Sequence, residues 1–254
     1  MRIAVMSDIH GNLWALEAVL ADIARRNVDL AVNLGDILSG ALLPSETAAR
    51  LMALGLPTIR GNHDRQVLEH EPGRMGASDR WAHERITPAQ REWIASLPAT
   101  MRLLDDVLMV HGTPGSDLVY WMETVDPTGG QRRATYAEVL ERAGDAPASL
   151  ILCGHTHVPR SVLLDDGRLV VNPGSVGLQA YEGDLPYPHT AENGTPHARY
   201  AIVERTAAGW AVEQFALAYN WDAAAEVAQR HGRPEWAFAL RTGRMPVQAG
   251  QPGG

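Results

Sequence analysis

The chain has 254 residues, and 22 basic against 30 acidic side chains leave a formal net charge of −8 with histidine neutral. That balance excludes a nonspecific nucleic-acid coat and a polybasic membrane contact, both of which need a basic surface. Every cation is Arg, which excludes Schiff-base lysine chemistry, and the one cysteine, Cys153, excludes an internal disulfide or a thiolate metal cluster.

Residues 2–7, with Ile3, Val5 and Met6, predict a short buried strand that is too briefly apolar to be a signal peptide. Asn12 is placed to cap a helix over 13–26, whose Leu13, Leu16, Val19, Leu20 and Ile23 share one face. A strand over 29–34, a helix over 44–54 and a strand over 57–60 follow. This alternation predicts parallel strands with right-handed crossovers, and ligand sites on such sheets lie at the carboxyl ends of the strands. Residues 64–98 read as helical pieces, with the clearest start at Thr87-Pro88-Ala89-Gln90: a Thr cap, Pro in the first turn and Gln at the capping-box position.

A hairpin is expected over 101–104 and 107–110, a loop region over 113–130 and a helix over 131–143. Strands are expected over 150–153, 161–164, 168–172, 199–204 and 210–215, with a long loop over 181–197. Helices over 221–231 and 235–241 break at Gly232-Arg233-Pro234, and 247–254 has the composition of a disordered tail. The whole reads as an α/β chain with one domain over 1–246. No apolar run approaches the roughly 18 residues of a membrane span, and a reducing, cytoplasmic setting is expected.

Polar residues recur at the strand ends: Asp8 and His10, Asp36, Asn62 and His63, His111, then His155 and His157. Each motif alone is weak. Asp-x-His after a strand can be a turn or a cap, and His155-Thr156-His157 on an extended segment would aim its rings at opposite faces. The fold, however, carries all these strand ends to one edge. Imidazole, carboxylate and amide oxygen without thiolate suit borderline and harder divalent ions. Seven such ligands exceed one tetrahedral zinc and suffice for two ions.

In this order, Asp8-x-His10, Gly35-Asp36, Gly61-Asn62-His63, His111 and Gly154-His155-x-His157 resemble the calcineurin-like metallophosphoesterases, most closely the small prokaryotic phosphodiesterase branch. Asn172-Pro173-Gly174-Ser175-Val176 resembles the segment that follows in prokaryotic members. The resemblance implies a sandwich of two β-sheets flanked by helices. It implies two divalent transition-metal ions, manganese first, with iron, nickel, zinc or cobalt as alternatives. Asp8, His10 and His157 would hold one ion, Asn62, His111 and His155 the other, and Asp36 would bridge them. His63 would be catalytic and not a ligand. The implied reaction is hydrolysis of a small phosphate ester, as a phosphodiesterase using a hydroxide between the two ions. A nucleotide is one such substrate. No stable nucleic-acid or membrane partner is expected. A phosphomonoesterase or protein phosphatase is the alternative enzyme, and a non-catalytic scaffold the alternative of a different class.

One departure stands out. Related protein phosphatases and diadenosine tetraphosphatases carry Gly-Asp-x-x-Asp-Arg-Gly, whose second Asp orients the catalytic histidine. Here Ser39 takes that place in Gly35-Asp36-Ile37-Leu38-Ser39-Gly40, and Asp64 or Ser39 is the candidate substitute. Arg65, Arg132 and Arg133 could meet substrate phosphate, but as members of the chain's only cation class they are expected on the surface. Tyr120 and Trp121 could stack on a base, with core packing the favoured reading, and Trp14 is expected in the core or at its rim. His70, His83, His189, His197 and His231 lack a strand-end context, although His189 and His197 could line the pocket. Cys153 is expected to be an inert buried thiol.

Overall fold

In the computed structural model, which describes residues 1–247, the amino-terminal part follows the expected strand–helix order. β1 (Arg2–Met6) leads into α1 (Leu13–Ile23), and β2 (Leu30–Asn33) into α2 (Pro44–Leu54). Asn12 caps α1, its side-chain oxygen accepting from the Ala15 amide at 3.2 Å. Residues 57–60 contribute only a parallel bridge between Asn33 and Thr58, short of the expected strand. Then come α3 (Asn62–Glu69), α4 (Ala77–Arg85) and α5 (Pro88–Ser96). α5 starts at the expected capping box: the Gln90 amide donates to Thr87 at 3.2 Å and the Thr87 amide to Gln90 at 2.9 Å.

β3 (Met101–Leu104) and β4 (Val107–Met109) form the expected hairpin. β5 (Glu123–Val125) and β6 (Gln131–Arg133) pair where a loop and the start of a helix were expected. The helix α6 (Tyr136–Ala143) begins later because Thr135 and Glu138 make its capping box. β7 (Leu150–Leu152), β8 (Arg160–Leu163) and β9 (Leu169–Asn172) follow as expected. β10 (Ala180–Gly183) and β11 (His189–Glu192) make another hairpin inside the expected long loop. β12 (Ala198–Thr206) and β13 (Gly209–Leu217) pair along their length, and α7 (Trp221–Arg230) and α8 (Pro234–Thr242) come last. Beyond Val247, the expected tail lies outside the described residues.

The main strands join in two sheets, one ordered β13-β12-β1-β2 and the other β3-β4-β7-β9-β8. Successive side chains of a strand point to opposite faces. Ile3 and Val5 of β1 therefore meet Val107, Met109, Leu150, Leu152 and Val171 in the layer between the sheets. Ala4 and Met6 face the other way, onto Leu16, Val19, Leu51, Val67 and Ile94 of the first five helices. The outer face of the second sheet packs Ile151 and Val170 against Trp121 and Val139. The result is the two-sheet sandwich with flanking helices. α7 and α8 pack as a pair against Leu42, Leu178 and Ala180. Among the described residues, no helix is long and apolar enough to cross a membrane. Truncating one fully buried Leu of such layers costs about 2–5 kcal/mol, so the strand ends that carry the polar residues are held firmly.

Candidate metal centre

All eight expected residues meet at the strand ends. Asp8 and His10 follow β1, Asp36 follows β2, and Asn62 and His63 open α3. His111 follows β4, and His155 and His157 follow β7. Asp8, His10 and His157 form one cluster of ligand atoms, and Asp36, His111 and His155 a second, each within 4.8 Å. Asn62 joins the second, its Oδ1 being 3.1 Å from His111 Nε2.

The backbone shows how neighbours in sequence reach different clusters. Asp8, His10, Asp36, His155 and His157 all have φ between 52° and 71°, and the only other described non-glycine residue at positive φ is Asn27. Each such left-handed turn costs about 1–2 kcal/mol, and this strain is concentrated where side chains must be re-aimed. In an extended segment, His155 and His157 would point apart without control. With both at positive φ, His157 turns to the first cluster and His155 to the second.

Each ring is oriented by a backbone carbonyl. His10 Nδ1 donates to Ser39 O at 2.7 Å, His157 Nδ1 to Leu178 O at 2.7 Å, and His111 Nδ1 to Leu34 O at 2.8 Å. His155 reverses the pattern, its Nε2 donating to Leu118 O at 3.2 Å and leaving Nδ1 for the cluster. These bonds assign the tautomers. They also leave His10 Nε2 and His157 Nε2, 3.1 Å apart, both without a hydrogen. Two lone pairs facing each other at that distance call for a cation. In the second cluster His111 Nε2, Asn62 Oδ1 and Asp36 Oδ2 converge, with His111 3.1 Å from each oxygen; a proton on Nε2 links them at the place a cation would take. The donor sets thus fit divalent ions of intermediate hardness.

The electrostatics match. Burial pushes His10 down to about 4 and His155 down to about 3, and it drives His157 well below the usual range. These rings are neutral near pH 7, the form in which imidazole can bind a metal. Burial lifts the Asp8 carboxyl to about 7. His111 and His63 behave oppositely. Burial opposes their charging most strongly, but the Asp36 carboxylate, together with Asp8 at His111 and Asp79 at His63, outweighs it and raises them to about 10 and about 9. Burial alone would raise Asp36, yet His111 and His63 hold it well below the carboxylate range.

The surrounding residues act as braces. Asp64 Oδ1 accepts from the Ile37 amide at 3.0 Å and Oδ2 from the Gly61 amide at 2.9 Å, so it ties the Asp36 turn to α3. It does not stand in for the missing second Asp of the phosphatase motif, and it makes no bond to His63. Asn172 donates to Gly154 O at 2.7 Å, and Ser175 Oγ donates to Asp8 O at 2.7 Å, so the Asn172-Pro173-Gly174-Ser175 segment clamps two ligand turns. Gly61 is required by space: a Cβ there would lie 2.2 Å from Asp36 Oδ1 and 2.6 Å from its amide. Gly61→Ala is therefore expected to lower stability by about 1–3 kcal/mol through overpacking and to disturb the second cluster. A melting curve combined with elemental analysis checks this, and parental values in both would refute it.

A cavity of about 460 Å³ opens beside the clusters. Its floor includes His10, Asp36, Asn62, His63, His155 and His157; its far wall comes from β10, the β10–β11 turn and α8, through Tyr181, Leu185, Arg233 and Trp236. The far wall went unread in the sequence, because neither the hairpin nor α8 carries a motif. Arg65 does not reach the cavity: it forks onto Asp117 at 2.7 and 3.0 Å. Arg132 pairs with Glu138 and Asp126. Trp121 is core, whereas Tyr120 lines the cavity and bonds Tyr181 at 2.7 Å and His189 Nε2 at 2.9 Å. His189 is thus buried and bonds a cavity residue. Trp14 packs at the edge of the α7–α8 cluster, His70 is exposed, and His83 and His231 bond backbone carbonyls. His197 packs beside Trp221, and Cys153 is buried, with burial pushing its thiol well up.

Two facing sheets with paired histidine–carboxylate clusters at their strand ends define a metallophosphoesterase-type protein. Residues 1–187 match the calcineurin-like phosphoesterase superfamily domain, and the chain belongs to that superfamily. An uncharacterized protein of Methanocaldococcus jannaschii is 29% identical over 245 residues, spanning 92% of this chain and 94% of its own. The crystal structure of a metallophosphoesterase from Sphaerobacter thermophilus is similar at a TM-score of 0.73 and 27% identity, covering 96% of this chain and 99% of its own. A hypothetical protein of Pyrococcus horikoshii shares the fold at a TM-score of 0.75 and 18% identity, with 96% and 99% covered.

Proposed function

We propose that the protein is a metal-dependent phosphodiesterase acting on small phosphate esters, nucleotide-sized or smaller. The observation that carries this reading is the facing pair of hydrogen-free nitrogens, His10 Nε2 and His157 Nε2, beside a second converging donor set on the floor of the cavity. Asp8, His10 and His157 would hold one ion, and Asn62, His111 and His155 the other, with Asp36 between them. Two divalent ions in such a site supply a water of lowered pKa and stabilise charge on phosphoryl oxygens, with manganese the first candidate. The chain's own contribution is placement and proton transfer. His63 lines the cavity, and its Nδ1 is committed to Asp79 at 2.8 Å. Nε2 is then the atom that would hold a proton and pass it to the leaving alkoxide.

The preference for diesters over monoesters rests on charge and room. Away from His63 and the two clusters, the cavity lining carries Glu182, Asp184 and Glu235 against one arginine, Arg233. A diester brings one negative charge, whereas a monoester brings close to two at neutral pH. Leu178, Ala180, Leu185 and Trp236 offer apolar contact to the second alcohol group. The net acidity of the chain favours small esters over long polyanions, and the lone cysteine suits a cytoplasmic setting.

The test is a side-by-side assay of the manganese-reconstituted chain on an aryl diester, an aryl monoester, a cyclic nucleotide and a dinucleoside polyphosphate. Diester kcat/KM at least about tenfold above monoester is expected, a difference of about 1.4 kcal/mol in transition-state binding. The reverse order would make the protein a monoesterase. Bound metal without turnover on any ester would make it a scaffold.

A further inference from the structure

The carboxylate missing at Ser39 is supplied from another element. Asp79, in the first turn of α4, lies with Oδ1 2.8 Å from His63 Nδ1 and accepts from Ser39 Oγ at 2.6 Å. It is 5% exposed, so both bonds are sheltered from water. Ser39 has a second attachment, its carbonyl accepting from His10 Nδ1 at 2.7 Å. One residue therefore touches both halves of the site. Its carbonyl orients a ring of the first cluster, and its hydroxyl orients the carboxylate that faces His63.

We propose that Asp79 is the positioning residue for His63, and that Ser39 joins this pair to the His10 cluster. The assignment rests on the reading of His63 as proton donor in a phosphoesterase. His63 is about one-third exposed, and its ring would otherwise be free to turn and to exchange tautomers. A carboxylate at Nδ1 fixes the hydrogen there and leaves Nε2 for the substrate. The same oxygen, Asp79 Oδ1, also accepts from the Ser39 hydroxyl, which holds the carboxylate in place against His63. A carboxylate at position 39 as well would set two like charges against each other. Serine at 39 and aspartate at 79 are thus one complementary pair, and the site needs a single carboxylate that either position could carry.

That symmetry defines the experiment. Asp79→Asn, Asp79→Ala, Ser39→Asp and the double variant Ser39→Asp/Asp79→Ser are compared with the parent as full-length, metal-loaded chains. Asp79→Asn should lower kcat at least about tenfold more for an alkyl leaving group than for a nitrophenolate, because only the alkoxide needs the proton. KM and the number of bound ions should stay at the parental values. In the zinc-loaded, ¹⁵N-histidine-labelled protein, the His63 Nδ1 proton resonance, identified by its absence in His63→Gln, should disappear in Asp79→Ala, which removes the one oxygen that both His63 and Ser39 bond. Ser39→Asp alone should be impaired, and the double variant should recover most of the loss and regain the resonance. Equal loss for both leaving groups, loss of metal, a persisting resonance in Asp79→Ala, or a double variant no better than the singles would overturn the assignment. A parent that hydrolyses no ester would refute the functional reading instead, and the resonance would still decide the Asp79–His63 link.

Discussion

Asp36→Asn is expected to reduce bound metal from two ions to one or none and to lower kcat/KM by at least about a thousandfold, the scale lost when a central electrostatic element is removed. The geometry argues for a local effect. Asp36 is buried, its Oδ1 accepts from the His63 amide at 2.9 Å, and its Oδ2 lies 3.1 Å from His111 Nε2. Asparagine has the same shape, so one orientation keeps the bond to the start of α3. It places an amide where the second cluster has a carboxylate oxygen, and it removes one of the two buried negative charges that can balance two divalent ions. The fold should survive, but the metal-free variant should melt lower than the metal-free parent, because His111 and His63 lose the buried carboxylate that pairs with them. Elemental analysis, a melting curve and the diester assay together check this. Two retained ions with parental turnover would refute the role of Asp36 between the metals, and a collapsed melting temperature would show that the side chain serves the fold first.

How much of this was legible in the sequence depends on the range of the interactions. The convergence of the candidate residues was legible because most of them follow a strand whose apolar core is local, and the parallel order brings strand ends together by rule. α5 was legible because its cap is written in four consecutive residues. Gln131-Arg132-Arg133 read as helix because three polar residues carry no period. Their strand character comes from pairing with Glu123, Thr124 and Val125, which no local pattern announces. The real start of α6 was marked by Thr135 and Glu138, a capping box hidden inside the longer expected helix. The β10–β11 hairpin was missed for a similar reason, since a Pro-rich turn separates two strands of four residues.

Asp79 was the least legible. An acidic residue in the first turn of a helix reads as a complement to the helix dipole, and nothing in Ala77-Ser78-Asp79-Arg80 hints at a histidine 16 positions earlier. The meeting depends on how α3 packs on α4. The left-handed backbone of the ligand residues was equally hidden. Asp and His visit that region more readily than most residues, but only the tertiary turn shows that five of them do so together.

His63→Gln is expected to separate chemistry from metal binding more sharply than any other single change. Its ring takes part in neither cluster, and its backbone amide, which holds Asp36, survives the substitution. The variant should therefore keep two bound ions, with a modestly lowered melting temperature because the buried Asp79 loses its cationic partner. Removing a general acid typically costs a factor of about 10²–10⁴, so kcat on an alkyl leaving group should fall by that much while KM changes little. With a nitrophenolate leaving group the loss should be much smaller, because that anion departs without a proton. The pair of substrates guards the interpretation. A uniform loss would mean that His63 stabilises charge on the phosphoryl group and does not protonate the leaving oxygen. Loss of metal would mean that it belongs to the ligand set after all. The neighbouring Asp36 and Asp79 carboxylates hold the His63 ring at about 9, so it is protonated at pH 7 and begins to lose that proton as the pH rises through its raised value. The alkyl-ester rate should then fall above that range in the parent and show no such decline in His63→Gln, whose side chain has no proton to lose.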